Sequence, residues 1–470
     1  MHLENKNDKI NLEYYIINLL YIIFYIYKYK EICMSKTNKD IIVVGFALFA
    51  MFFGAGNLIF PPYLGVISGS SWITGFTGFI LSDVGLALLA ILAAAKCNGD
   101  INKVLGRSGK QLAIILGSAI MICLGPLVAI PRTSATTFEM GVQPLFSGFS
   151  PILFSIIFFA ATFILTIKPS KVVDIIGAYL TPALLVALAL LIIKGIIIPI
   201  GEMSSTPLIE NLFSEGIKQG YQTMDALGAV ALSAVIITSL ANKGYKDEEQ
   251  KVKLTLKSGV VAAIGLVLVY GGLTYLGATV STIYGIDVVR TKLIVEITAS
   301  LLGTPGKVIL AIIVALACLT TAIGLTSATA QFFEKITYGK LKYELVVTVV
   351  CVFSAVVSNF GVSTIIQFAA PILDIIYPAT MVLVIMTLFG TKIKNDNAFK
   401  GATYTALLVS ILTVANSMDI VNVSFINELP FSTLGFNWIV PVLIGGIIGN
   451  LIPLHSERKK GLQLKDDRII

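Results

Sequence analysis

The chain has 470 residues, of which 56% are hydrophobic and 13% charged, with a mean hydropathy of +0.88. That is too little polar surface to cover a soluble globule of this length, so the composition is that of a polytopic membrane protein. A formal charge of +7 would suggest nucleic acid as the partner of a soluble domain, but here the basic residues sit in short loops between apolar runs, and no nucleic-acid module interrupts them.

Residues 1–33 differ in character from the rest of the chain. The stretch Tyr14 to Tyr27 is apolar but short for a span, is flanked on its C-terminal side by Lys28, Lys30 and Glu31, and has no small-residue cleavage site of the signal-peptide kind. An interfacial helix is its expected fate. Met34, directly before the first clear span, is the more natural start, so residues 1–33 are read as an upstream extension and 34–470 as a single transmembrane domain.

Twelve spans are expected, at about 41–66, 72–95, 112–131, 150–167, 173–193, 221–241, 257–281, 306–333, 344–359, 361–389, 401–418 and 437–454. An even count puts both termini on one side. With that side taken as cytoplasmic, inner segments carry 28 Lys and Arg against 6 outside, which sets the orientation.

Span 1 breaks the habit of a continuous apolar helix. Gly54-Ala55-Gly56-Asn57, with Pro61-Pro62 shortly after, favours unwound backbone at mid-depth, tolerated only where it lines a protein cavity. A half-helix starting near Asn57 would aim free amides at an anion such as a carboxylate, and one ending near Phe53 would present free carbonyls to a cation. Close helix packing would account for the two glycines, and a span end for the prolines.

Asp83 lies in span 2 and Asp374 in span 10, between Pro371 and Pro378. A carboxylate in hydrocarbon is costly, so each should face the interior or a wet cavity, and either could couple protons; a hydrogen-bonded packing role is the alternative. Beyond span 3, Pro131-Arg132-Thr133 and Glu139 form a polar cluster read as an outer vestibule or gate.

Span 6 carries Asp225, Gly228 and Ser233 in otherwise apolar helix. Spans 1 and 6 enter the membrane in opposite directions, and matching interruptions in two inverted halves point to a midplane site in a secondary transporter. Asp225 could equally be an ordinary acid of a first helical turn. In span 8, Thr320, Thr321, Thr326 and Ser327 concentrate hydroxyls. Beside the free carbonyls near Phe53 they would make an all-oxygen pocket for a hard cation such as sodium, or they bond back to their own helix.

Other chemistry is sparse. Cysteines 33, 97, 123, 318 and 351 form no CxxC pair, and the two histidines, His2 and His455, lie near the chain ends. No metal centre, cofactor or His-based enzyme is expected. The Gly-rich loop GxxxxGK[ST] is absent, so transport would run on a gradient and not on ATP.

The block Gly45-Phe-Ala-Leu-Phe-Ala-Met-Phe-Phe-Gly-Ala-Gly-Asn-Leu-Ile-Phe-Pro-Pro-Tyr-Leu-Gly65 resembles the N-terminal signature of the bacterial branched-chain amino acid:cation symporters. Leu124 to Thr133 with Phe138-Glu-Met-Gly141, Tyr221 to Leu227 and Leu319 to Gly324 resemble further blocks, and the resemblance runs from about Ser35 to the C-terminus. It implies an all-α fold with the five-plus-five inverted repeat of the leucine transporter, here 41–193 and 221–389, plus two helices within 401–454.

It also implies import of L-leucine, L-isoleucine and L-valine with a coupling cation, Na+ or H+, across a bacterial cell membrane. In such a fold the substrate carboxylate meets Gly54, Ala55, Gly56 and Asn57, and its amino group meets the stretch Asp225, Ala226 to Gly228. The cation joins carbonyls around Ala50 and Phe53 to the Thr320 and Thr321 hydroxyls. Asp83 and Asp374 match no role that the resemblance supplies. The runner-up is a symporter of the same fold for another small amino acid or related solute.

Overall fold

The computed structural model describes residues 35–167, 181–390 and 392–453. Residues 1–33 and the start of the fifth expected span lie outside the described residues. Those described are helical throughout the spans, with no strand among them.

Span 1 is two helices, α1 (Lys36–Phe52) and α2 (Ala55–Ser68). Span 2 is α3 (Trp72–Ile80) and α4 (Leu86–Lys96), joined by a π-helical turn over Leu81–Gly85. A short connecting helix, α5 (Ile101–Gly106), is capped by the Asp100 carboxylate and leads to span 3, made of α6 (Lys110–Ile122) and α7 (Ala129–Thr137). Spans 4 and 5 contain α8 (Pro151–Thr166) and α9 (Thr181–Ile197).

Span 6 is split into α10 (Leu212–Thr223) and α11 (Asp225–Asn242), and α12 (Glu248–Ala278) is span 7. Helix α13 (Arg290–Ile336) bends at Gly303, φ 65°, and its second part is span 8. Helices α14 (Tyr343–Val357), α15 (Val362–Leu388), α16 (Asp396–Ser417) and α17 (Ile439–Leu451) complete the set. Eight helical stretches are long and apolar enough to cross a membrane, and α8, α9 and α17 are shorter apolar helices. One of the eight, Ala55–Lys96, turns sharply at Gly69 and holds the outer half of span 1 together with span 2.

Packing separates two groups. Both halves of span 1 lie against α12, and the halves of span 6 lie against α3 and α4, so spans 1, 2, 6 and 7 form one bundle. Helix α13 packs on α7, α8 and α14, which ties spans 3, 4, 8 and 9 into a second. Spans 11 and 12 pack on each other and reach the rest through α15.

The first bundle is close-packed because Gly65 and Gly277 bring two backbones together. A Cβ on Gly277 would lie 1.9 Å from the Pro62 carbonyl oxygen, and one on Gly65 would lie 2.0 Å from that of Thr274. Backbone cannot rotate away as a side chain can. Gly277→Leu should therefore separate α2 from α12 and cut the yield of folded protein about tenfold or more, since overpacking costs about 1–3 kcal/mol. Fluorescence-detected size exclusion reads this directly; a normal monodisperse peak would refute the packing account.

Candidate functional site

The break in span 1 is best traced through its backbone hydrogen bonds, since the last carbonyls of α1 and the first amides of α2 have no partners within their own helices. Phe53 N–H still donates to the Phe49 carbonyl at 2.7 Å, but Gly54 N–H donates at 3.2 Å to Asn57 Oδ1. The carbonyls of Ala50 and Met51 are thereby freed. Hydroxyls from span 8 take them: Thr320 Oγ1 donates to Ala50 O at 3.2 Å, and Thr321 Oγ1 lies 3.2 Å from Met51 O and 3.4 Å from Ala50 O. Carbonyl and hydroxyl oxygens of this kind suit a hard monovalent cation.

The unwound region is narrower than the sequence suggests. It comprises Phe53 and Gly54; Ala55, Gly56 and Asn57 already form the first turn of α2, and Pro61 and Pro62 lie inside that helix. Inside a helix each proline removes one N–H, so the Asn57 and Leu58 carbonyls lose their intrahelical donors.

Span 6 breaks at Met224, whose φ of 69° and ψ of 13° are left-handed. Holding a non-glycine residue there costs about 1–3 kcal/mol. The sequence carries no sign of it, because Met is neither Gly nor Asn. Asp225 opens α11, while Gly228 lies within it and donates its N–H to the Met224 carbonyl at 2.8 Å.

The two breaks meet through side chains. Asn57 Nδ2 donates to Asp225 Oδ2 at 2.8 Å and also to the Tyr270 hydroxyl, which in turn lies 3.2 Å from the same carboxylate oxygen. From span 2, the π-helical turn swings Asp83 into this cluster, where its Oδ1 accepts the Thr223 hydroxyl at 2.6 Å. Its other oxygen has no hydrogen-bond partner, although the carboxyl adjoins Asp225 and Tyr270. Such single-turn widenings recur at functional sites because they re-aim a side chain.

Between spans 1, 3, 6 and 8 lies a small cavity of about 20 Å³. Polar groups of Asn57, Arg132, Asp225 and Thr321 line it together with Gly54, Ala55 and Gly228 and with the apolar side chains of Leu124, Leu232 and Leu325. A Cβ on Gly228 would meet nothing within 4 Å. Outside it, Phe60 and Tyr63 lie beneath Arg290, whose guanidinium is 5.3 Å and 4.2 Å from their ring centres, and Tyr63 donates to the Ile286 carbonyl at 3.2 Å. A separate, larger cavity of about 250 Å³ lies among Asn98 to Asn102, Thr238, Gln331 and Lys335.

The sequence-derived candidates thus fall into place unevenly. Gly54, Ala55, Asn57, Asp225, Gly228 and Thr321 line the cavity; Gly56 and Ala226 are buried behind them, and Thr320 reaches Ala50 from the side. No hydroxyl among the described residues reaches the Phe53 carbonyl, and Met51 supplies the second oxygen instead. The Phe53 ring stacks on Phe49 and Tyr270.

Asp374 is not brought to the site: it is exposed on α15 and is not among the residues that line the cavity. Arg132 lies deeper than an outer vestibule, being 3% exposed at the cavity wall. Glu139, from the same expected cluster, sits apart, accepting from Thr291 Oγ1 at 2.8 Å and Val362 N–H at 2.9 Å. Tyr270 is absent from the sequence-derived candidates, since a lone Tyr within an apolar span carries no signal.

Residues 37–456 match the family model described as branched-chain amino acid transport protein. The chain belongs to that family. The transporter is 34% identical over 444 residues to the branched-chain amino acid permease BraB of Bacillus subtilis (strain 168), covering 91% of this chain and 98% of that one. It is 32% identical over 439 residues to the permease BrnQ of the same organism, covering 90% and 100%.

Among solved structures, the transporter is similar to a Na+-coupled sialic acid symporter in a substrate-bound outward-open state, with a TM-score of 0.60, 14% identity and coverage of 87% of this chain and 90% of that one. It is also similar to MhsT in complex with L-phenylalanine, with a TM-score of 0.54, 16% identity and coverage of 87% and 98%. These likenesses show the fold: an all-helical leucine-transporter-like membrane protein with its two extra C-terminal helices. The transporter is a permease and not an enzyme.

Proposed function

We propose that the transporter imports L-leucine, L-isoleucine and L-valine by cation symport across a bacterial cytoplasmic membrane, with both termini inside. The observation that carries this is the lining of the cavity, where the breaks of spans 1 and 6 bring Gly54, Asn57 and Asp225 together with the apolar side chains of Leu124, Leu232 and Leu325. The first-turn amides of α2 suit a carboxylate and Asp225 an ammonium group, while the leucines suit an aliphatic chain. One methylene in such a pocket is worth only about 1–3 kcal/mol, so the three amino acids compete for one site.

Sodium is the favoured coupling ion, supported by the Ala50 and Met51 carbonyls meeting the Thr320 and Thr321 hydroxyls. A proton is the alternative, supported by Asp83 adjoining Asp225. Rocking of spans 1, 2, 6 and 7 against 3, 4, 8 and 9 would expose the cavity to each side in turn.

Radiolabelled leucine uptake into proteoliposomes of the full chain, under an imposed sodium gradient and separately a proton gradient, tests the proposal. Sodium-driven uptake competed by isoleucine and valine is the expected result. Uptake under the proton gradient alone would move the coupling site to Asp83. No uptake by folded protein under either gradient would refute the substrate assignment.

A further inference from the structure

We infer that Arg132 is the residue that reads the substrate's carboxylate, so that the site selects free amino acids over their amides and over simple amines. The assignment rests on the proposed amino acid substrate and deepens it.

The sequence places Arg132 in the Pro131-Arg132-Thr133 triplet, which would sit at the outer end of a straight span 3. The span is not straight. Backbone at Gly125 leaves the helical region, with φ −86° and ψ −121°, next to Pro126, and the chain resumes as α7 from Ala129. This offset carries the guanidinium inward, where it is 3% exposed and lines the same cavity as Gly54, Ala55, Asn57 and Asp225.

There its hydrogen bonds go to neutral groups. Nη1 donates to the Gln222 carbonyl at 2.8 Å and Nη2 to the Thr223 carbonyl at 3.2 Å, the two carbonyls that end α10. Nε–H is buried with no hydrogen-bond partner. A buried donor without an acceptor is costly, and a buried guanidinium held only by carbonyls lacks the counter-charge that normally accompanies it. Asp225 lines the same cavity and its charge acts on the guanidinium, but its carboxylate is hydrogen-bonded by Asn57 and Tyr270 and forms no direct ion pair with Arg132 among the described residues.

A second anion-seeking feature converges on the same place. The first-turn amides of α2 have no intrahelical acceptors, and the guanidinium lies against that turn: a Cβ on Gly56 would be 2.9 Å from Nη2. One carboxylate between them would satisfy Nε–H and the helix N-terminus together. The ammonium group of the same molecule would then face Asp225, and its side chain would run toward Gly228 and Leu232. The two breaks become one reader of the zwitterion, with Arg132 fixed to the end of α10 so that its orientation is set before substrate arrives.

The test measures equilibrium binding of L-leucine, L-leucinamide and isoamylamine to the purified full chain in nanodiscs. Wild type should bind leucine about 100-fold or more tighter than leucinamide, as expected for a buried charge pair against its neutral analogue. Arg132→Gln should weaken leucine by about 30-fold or more while changing leucinamide less than about threefold, collapsing the discrimination. Arg132→Lys keeps the charge but not the planar fork and should recover part of the leucine affinity, with a discrimination between the two.

An unchanged leucine-to-leucinamide ratio in Arg132→Gln would overturn the assignment and leave the substrate standing. Should that variant fail to fold, an unchanged ratio in Arg132→Lys would overturn it equally. Absence of leucine binding to folded wild-type protein would instead overturn the substrate reading, and this assignment with it.

Discussion

Replacing Asp225 with Asn should abolish high-affinity leucine binding while leaving the fold intact. Asp225 Oδ2 already accepts from Asn57 at 2.8 Å and from Tyr270 at 3.2 Å, and an amide oxygen in the same rotamer can accept both. The framework therefore survives the change, and what disappears is the negative charge that the proposed function assigns to the substrate's ammonium group. Removing one partner of a buried charge pair costs about 2–5 kcal/mol, which is roughly 30-fold to several thousand-fold in Kd. Isothermal or scintillation-proximity binding on the purified variant measures it. If Asp225→Asn binds leucine within threefold of wild type, the ammonium site lies elsewhere. A variant that loses binding but also loses its size-exclusion peak would show instead that the carboxylate holds the two breaks together.

The double substitution Thr320→Val, Thr321→Val should abolish the sodium dependence of uptake. Valine keeps the shape of threonine, so the helix packing of span 8 against α1 is preserved, while the hydroxyls that meet the Ala50 and Met51 carbonyls are lost. Leaving those buried carbonyls unpaired costs about 1–3 kcal/mol per group, and a cation site stripped of two of its oxygens should lose at least tenfold in affinity by the same scale. The readout is the sodium concentration giving half-maximal leucine uptake in proteoliposomes. An unchanged value would exclude this pocket as the coupling site and favour Asp83 beside Asp225.

The fold was legible because its causes are local. Long apolar runs must be helical in lipid, since only a helix satisfies every backbone group within one segment. The break in span 1 was legible for the same reason: Gly54 and Gly56 beside Asn57 weaken a helix whatever surrounds it. Its extent was not, because Asn57 Oδ1 caps Gly54 and draws the start of α2 back to Ala55.

The break in span 6 shows the opposite case. Met224 adopts a left-handed conformation that its own chemistry disfavours, so the reason lies in its surroundings: Arg132 bonds the two carbonyls just before it, and Asn57 and Tyr270 hold the carboxylate just after it. A conformation imposed by contacts from spans 1, 3 and 7 leaves no trace in the residues that adopt it.

By itself, then, the sequence determined the membrane class, the twelve-span layout, the family and the first break, all of which derive from hydropathy, backbone propensity and a motif confined to neighbouring residues. Only the tertiary structure decided which polar side chains share one cavity. Asp83 and Asp374 look alike in sequence, each an acid within an apolar span, yet a π-helical turn carries Asp83 into the cluster while Asp374 stays on the outside of α15. Arg132 reads as a loop-end cation until the kink at Gly125 places it beside the breaks. The physical reason is the same for each: a buried polar group is defined by its partners, and these lie far along the chain, 140 positions from Asp83 to Thr223 and 91 from Arg132 to Thr223.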